Sequence, residues 1–155
     1  MLEQVCEYLN NYFTRKSGIE YDRWKGEFTI ENGELTRNGA TLDGLKPGNY
    51  FLIRGSDFND GVHVCPAEDL TDETFTGWVY KMVPPVTFLA LVDEIDAWQK
   101  KYEAVVKSPY QSESFAGYSY TKRGGFFASG VDSTAAWESI FAIRLKKWRK
   151  LYEYL

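Results

Sequence analysis

Apolar side chains recur every three or four positions in three parts of the chain, which predicts three amphipathic helices. The first starts at the N-terminus and is expected to end at Gly18, because glycine commonly follows a helix C-terminus. The second follows the Pro84-Pro85 pair and ends at Ser108-Pro109. The third begins near Asp132 and runs to the chain end without a stop signal.

Between Trp24 and Met82 the spacing changes to short β-like runs separated by turn residues. Asn32-Gly33 is typical of a tight hairpin turn, since both positions need positive φ. These runs predict an antiparallel sheet of roughly four or five strands. The predicted fold class is therefore α+β, with three main helices (N-terminal, central and C-terminal). A small antiparallel β-sheet is inserted between the first and second helices, and a long aromatic loop precedes the last.

One segment lacks any helical period. Residues 108–131 are rich in Tyr, Ser and Gly, and so long a connection is usually functional or disordered. We interpret it as an arm-like loop that reaches a partner. Because no linker divides the sequence, a single domain is predicted over residues 1–155, with the β insertion at about 24–82.

The composition favours a globular domain that keeps surface for partners. With 155 residues, 44% of them hydrophobic, the chain can bury a core without metal or disulfide bonds. Its 5 Trp, 11 Tyr and 10 Phe are more aromatic rings than one small core is expected to enclose. The formal net charge of −4 argues against a general nucleic-acid binder, which carries a basic surplus.

Cys6 and Cys65 are the only cysteines, and we interpret both as free thiols. The N-terminal segment has no apolar signal core, and no apolar run approaches the roughly 20 residues that a membrane helix needs. The sequence therefore predicts synthesis and folding in the cytoplasm, with no membrane partner.

Charge is segregated into two segments. Residues 55–76 contain six acidic side chains and neither Lys nor Arg. From Ser133 onward, five cations and two glutamates give +5 − 2 = +3. One interpretation is that these cations stabilise the last helix, because cations near a helix C-terminus are favoured by the helix dipole. The other is a helix that docks on an acidic partner surface, and direct DNA binding ranks third.

Signals for catalysis are weak. His63 is the only histidine and lies between two valines of a predicted strand, so we interpret it as structural or exposed. One His and two widely spaced Cys make a poor metal site, and Asp57, Asn59 and Asp60 fail the spacing of a calcium loop. Carboxylate pairs in the acidic segment leave a glycosidase-like enzyme as a minor hypothesis. The prediction is no enzyme, no metal and no cofactor.

Three stretches carry a resemblance to a known family: 55–63 with 70–77, then 108–120, then 137–141 with 145–150. Together they resemble head–tail connector (adaptor) proteins of tailed bacteriophages and prophages of Gram-positive bacteria. The second stretch is the most specific, because such a string of Tyr, Ser and Phe rarely arises by chance. The sequence departs from the family pattern at Ala116, where glycine is expected, and in the extra segment 124–129.

The resemblance implies a structural virion protein at the head–tail interface. It implies a helical bundle, with the sheet as an elaboration, that forms a ring of about twelve subunits, a closed heterologous assembly. The ring would join the portal protein to a tail-side neck or tail-completion protein, and DNA would pass through its lumen without sequence-specific binding. The residues predicted at the partner or subunit interface are Tyr110, Phe115, Tyr118, Tyr120, Lys122, Arg123, Lys146, Trp148, Arg149, Lys150, Tyr152, Tyr154 and Leu155.

A carbohydrate-binding or other aromatic-rich binding module is the alternative. Exposed Trp and Tyr rings stack on sugars, and the predicted sheet contains Trp24 and Trp78. This alternative predicts glycan binding by a monomer, lost when either tryptophan is replaced.

Overall fold

The computed structural model describes residues 1–14, 22–106, 112–115, 118–121 and 136–151, with side chains described for 1–14, 22–101 and 137–151. The helices are α1 (Leu2–Leu9), α2 (Val86–Val106) and α3 (Ala136–Leu145), and a 3-10 turn (Lys146–Trp148) follows α3. The strands are β1 (Arg23–Glu31), β2 (Glu34–Arg37), β3 (Ala40–Thr41), β4 (Tyr50–Arg54), β5 (Gly61–Val64), β6 (Glu73–Met82), β7 (Ser112–Phe115) and β8 (Tyr118–Thr121).

The predicted architecture of three main helices with a small inserted sheet was wrong. In the described part of the chain, six antiparallel strands form one sheet in the order β3-β2-β1-β6-β4-β5, which lies between α1 and α2 in sequence. Strands β1 and β6 are nine and ten residues long and pair along most of their length. The sheet is therefore the main layer: β1 supplies apolar side chains to one face, and β6 supplies them to both.

The hairpin predicted at Asn32-Gly33 forms between β1 and β2. Asn32 and Gly33 have φ of 53° and 78°, the left-handed values that such a two-residue turn requires. The resulting register places Ile30 opposite Leu35 and Phe28 opposite Arg37.

One face of the sheet packs against all three helices. Leu52 and Tyr80 are cross-strand partners on this face, and both are buried. They join a cluster with apolar side chains from α1, α2 and α3, among them Leu9, Phe88 and Phe141. A helical layer on a sheet face is a standard way to bury both apolar surfaces.

The opposite face of the sheet is covered by two connections instead of helices. Phe28 stacks on Phe75 with ring centroids 5.3 Å apart, and Phe51 is buried in the same cluster. Leu42 and Leu70, from the β3–β4 and β5–β6 connections, close this second core. Alternation along β4 and β6 thus feeds two separate cores.

Both terminal helices are shorter than the sequence predicts. Helix α1 ends at Leu9, not at Gly18, because Asn10 adopts left-handed φ of 51° and its amide bonds back to carbonyls of the helix. Helix α3 ends at Leu145, and after the 3-10 turn Arg149 is extended. The predicted continuous helix is therefore broken at residues 146–151, where the backbone turns to bond the end of α1.

Strands β7 and β8 lie within the segment that was predicted to be a loop. They pair antiparallel in a two-stranded sheet of their own, with Phe115 opposite Tyr118 and Glu113 opposite Tyr120. The rest of the predicted arm, 108–111, 116–117 and 122–131, lies outside the described residues. Among the helices of the described ranges, none is long and apolar enough to cross a bilayer.

Candidate docking surfaces

Helix α3 has an apolar side that stays exposed in the described part of the chain. Trp137, Phe141 and Leu145 face inward and are buried, as their four-residue spacing requires. Ile140 and Ile143 point away from them and are 57% and 90% exposed. We call Ile140, Ile143, Lys146 and Lys147 the α3 outer face.

Two carboxylate contacts fix α3 on α2. The Arg144 guanidinium donates to both oxygens of Glu94, at 2.5 and 2.6 Å. These hydrogen bonds from Arg144 hold the pKa of Glu94 below its ordinary value. A bidentate pair of this kind sets the orientation of both side chains, so the α3 outer face is held on a defined support.

Trp148 anchors the chain after α3 inside the subunit. Its ring lies 5.8 Å from that of Phe13 and 5.7 Å from that of Phe88, in edge-to-face geometry. The Asn11 side-chain amide donates to the Trp148 carbonyl at 2.7 Å, and the Lys150 amide donates to the Leu9 carbonyl at 3.0 Å. Trp148 therefore holds the subunit together, and its predicted contact with a partner stays a prediction.

The basic side chains around Trp148 remain at the surface. The Lys147 ammonium lies 4.6 Å from the centre of the Trp148 ring, and the Arg149 guanidinium lies 5.1 Å from that of Tyr8. Lys146 and Lys150 are also exposed. The positive charge predicted from sequence is thus presented outward, beside the two exposed isoleucines.

A second surface of opposite charge lies in the connection between β4 and β5. We call residues 55–60 the acidic loop. Phe58, at its tip, is 71% exposed, and Asp57 and Asp60 beside it are exposed too. Asp60 accepts a hydrogen bond from the Ser56 amide at 2.9 Å and lies 3.7 Å from the Arg54 guanidinium.

Asn59 fixes the acidic loop to the segment before β6. Although polar, it is 3% exposed. Its side-chain amide donates to the Thr71 carbonyl at 2.9 Å and to Glu73 at 2.7 Å, and its oxygen accepts from the Thr71 amide at 2.7 Å. Its own backbone amide donates to the Ser56 hydroxyl. The buried amide therefore has its hydrogen bonds satisfied, as a buried polar group must.

Glu73 receives the other bonds of this network. Burial alone would raise the pKa of Glu73, but hydrogen bonds from Ser56 and Asn59 outweigh it. The backbone amides of Asp57 and Phe58 add to the effect. The pKa of this carboxyl is therefore lowered from its ordinary 4.5.

The lowered pKa of Glu73 predicts a pH-dependent contribution to stability. A depressed carboxyl pKa stabilises the fold above pH 4.5, and this stabilisation is lost as pH falls through the folded-state value. Wild type should exceed Glu73→Gln by about 1 kcal/mol in unfolding free energy at neutral pH, and the difference should shrink toward pH 3. Urea titrations at both pH values measure it, with Glu68→Gln as the control for loss of charge. An equal difference in unfolding free energy at both pH values would contradict a lowered pKa of Glu73 in the folded state.

His63 is held by structural contacts. Its Nε2 lies 2.9 Å from the Asn59 carbonyl and donates to it, while Nδ1 lies 3.6 Å from the Asp69 carboxylate. The backbone bond at Nε2 and the carboxylate beside Nδ1 hold the imidazole ring in place. Across the described residues, no group of three His, Cys, Asp or Glu is placed to hold a metal ion.

A cavity of about 440 Å³ opens on the loop-covered face of the sheet. It is lined by the β1–β2 turn, the 41–45 connection and residues 65–70, with Phe51 at its floor. The two tryptophans of the carbohydrate-binding alternative do not line this cavity. Trp24 is buried, whereas Trp78 is half-buried, with the Arg23 guanidinium 4.3 Å and the Lys25 ammonium 4.7 Å from the centre of its ring.

The predicted interface residues are only partly visible. Lys146, Trp148, Arg149 and Lys150 come together beside α1, as described above. The backbone of three others lies in the β7–β8 hairpin: Phe115, Tyr118 and Tyr120. The remainder lie outside the described residues: Tyr110, Lys122, Arg123, Tyr152, Tyr154 and Leu155.

Three exposed apolar residues were missed by the sequence analysis, namely Phe58, Ile140 and Ile143. A faint signal existed for the isoleucines, since they lie off the 137–141–145 line that predicts the inner face of α3. Phe58 lies beside exposed acidic side chains, and Ile143 lies beside exposed basic ones. The chain matches no protein-family model, no curated protein and no solved structure.

Proposed function

We propose that this chain is a structural virion protein that assembles into a ring between the capsid portal and the tail and lines the DNA exit channel. The α3 outer face carries the proposal. Ile140 and Ile143 are exposed one turn apart on a helix whose opposite side is buried and which Arg144 ties to α2. Burying one such side chain stabilises a contact by about 1.5–3 kcal/mol, so this face is suited to another polypeptide.

The β7–β8 hairpin supports the same function. A two-stranded sheet by itself is marginally stable in water, and β7 and β8 pair only with each other in the described sheet order. An exposed strand edge can add to the sheet of a neighbour. The predicted interface aromatics Phe115, Tyr118 and Tyr120 lie on these strands, so the arm provides a second contact to the ring or the portal.

The charge of the chain suits a channel through which DNA slides. A formal net charge of −4 repels the phosphate backbone and gives no sequence-independent affinity for it. The specific assignment comes from the resemblance to head–tail connectors, which is carried by stretches 55–63 with 70–77, 108–120, and 137–141 with 145–150. Portal protein above and a tail-side neck or tail-completion protein below are the partners that it implies.

Removing the residues after Trp148 tests the proposed docking to the portal. Among the described residues, the shortened chain loses two backbone hydrogen bonds, from Lys150 to Leu9 and from Arg149 to Lys146, and the Arg149 contact with Tyr8. Trp148 keeps its ring contacts with Phe13 and Phe88. We expect its unfolding free energy to fall by only about 1 kcal/mol. In co-sedimentation with portal rings from the same genome, we expect the full chain to bind and the shortened chain to fail.

Lys100→Ala is the matched control, because it removes a surface cation of α2 that pairs only locally, with Asp96. It should bind portal rings as the full chain does. Two results would count against the proposal: a full chain that leaves portal rings unbound, or a shortened chain that unfolds and so shows the last residues to be core.

A further inference from the structure

We propose that neighbouring copies of this chain join head to tail, with the acidic loop of one copy seated on the α3 outer face of the next. The inference rests on the proposed ring function and names the surfaces that build the ring. It follows from two exposed apolar groups, on different elements of one chain, that have opposite electrostatic surroundings.

The two surfaces match in apolar content. Phe58 projects from the acidic loop with 71% of its surface exposed, and Ile140 and Ile143 present a shallow apolar strip one helical turn long. An aromatic ring set against branched aliphatic side chains is a common centre of a protein interface. Both groups are largely exposed in the described part of the chain, so both can meet a second copy.

The two surfaces also match in charge. Exposed carboxylates of Asp57 and Asp60 flank Phe58, and the exposed ammonium groups of Lys146 and Lys147 flank Ile143. Seating Phe58 on the isoleucines brings the carboxylates of one copy next to the ammonium groups of the other, and these opposite charges favour the pairing. A loop-to-loop or helix-to-helix contact between copies would instead bring like charges together.

Both surfaces are fixed before they meet. The acidic loop is tied to residues 71–73 through the buried Asn59 side chain. Helix α3 is tied to α2 by the two bonds from Arg144 to Glu94. Groups that are already ordered lose little conformational entropy on association, so a small contact area becomes sufficient.

A contact between different surfaces of identical chains propagates. Each copy offers one acidic loop and one α3 outer face, so every added subunit leaves one of each unpaired until the assembly closes. This geometry generates a ring when the rotation between subunits divides a full turn. It therefore provides the subunit contact that a connector ring needs.

Two single substitutions test the two sides of the contact separately. Phe58→Ser removes the ring from the loop tip, and Ile143→Glu places a carboxylate in the apolar strip. Both residues are largely exposed, so both variants should fold. Val86→Ser, at a position that is 81% exposed elsewhere on the surface, is the control for loss of an exposed apolar side chain.

Sedimentation velocity from about 1 μM to about 1 mM should show wild type and Val86→Ser assembling beyond the dimer as concentration rises. Each of the other two variants should stay monomeric over the same range. An equimolar mixture of Phe58→Ser and Ile143→Glu should form a one-to-one dimer and stop. The intact acidic loop of Ile143→Glu then binds the intact α3 outer face of Phe58→Ser. The two surfaces left over both carry a substitution, so no further subunit adds. High salt should weaken this dimer.

Several results would overturn the contact. They are a wild type that stays monomeric at about 1 mM, a single variant that still assembles, and a mixture that fails to dimerise or grows past the dimer. Portal binding by wild type is scored separately. If wild type binds portal rings while the variants assemble normally, only this contact is wrong; if wild type fails to bind portal rings, the proposed function is wrong.

Discussion

Replacing Gly77 by alanine should lower the free energy of unfolding by about 3 kcal/mol or more, because the added methyl group has no space. Gly77 lies in the middle of β6, between β1 and β4, and pairs with Gly26. A Cβ there would lie far inside contact distance of the Arg54 carbonyl oxygen and 3.2 Å from the Phe75 ring. Because the obstacle is backbone of the neighbouring strand, side-chain rotation cannot relieve it.

Gly39→Ala is the matched control for this substitution. A Cβ at Gly39 meets nothing within 4 Å, and the only cost is its left-handed φ of 74°, about 1 kcal/mol. Urea unfolding followed by circular dichroism measures both variants. Equal stabilities for Gly77→Ala and Gly39→Ala would contradict the close approach of β6 and β4 at this point.

Replacing Asn59 by alanine should cost about 3 kcal/mol, the second-largest effect that we expect. The side chain is buried and bonds both the amide and the carbonyl of Thr71, so its removal leaves two backbone groups without their partners. It also takes one hydrogen bond from Glu73. The acidic loop should then lose its fixed position relative to β6.

Hydrogen exchange of residues 55–60 and urea unfolding together measure the Asn59→Ala effect. Exchange in the acidic loop should speed up more than exchange in the central strands, because the lost bonds lie at the loop. Asp57→Ala, an exposed change in the same loop, should leave both measurements near wild type. Unchanged loop protection in Asn59→Ala would show that other contacts hold the loop.

Local patterns predicted the elements of the fold better than their assembly. The Asn32-Gly33 turn, the strand at 50–54 and the start of α2 after Pro84-Pro85 follow from residue types a few positions apart. The size of the sheet does not follow from such local patterns. The pairing of β1 with β6 joins residues roughly 50 positions apart, and no local signal encodes that register. The early end of α1 depended on Asn10 adopting positive φ, which asparagine permits but does not require.

The sequence indicates the charge of the two candidate surfaces but not their exposed apolar residues. The acidic and basic segments can be counted directly, and the structure presents both outward. The sequence does not show which apolar residues stay exposed. Helix α3 is apolar at most positions, and which side of it is buried depends on the surfaces of α1 and α2 that it packs against. Asn59 was missed for a related reason: in a turn-rich segment an asparagine predicts a turn, and its burial appears only when residues 71–73 pack beside it.

The central claim is that this chain completes its exposed surfaces against other chains at the neck of a virion. Electron microscopy of portal rings from the same genome, mixed with the full chain, tests it most directly. The account predicts a second ring of density at the narrow end of the portal, coaxial with it and with an open channel. Portal rings that look the same with and without the chain would contradict it.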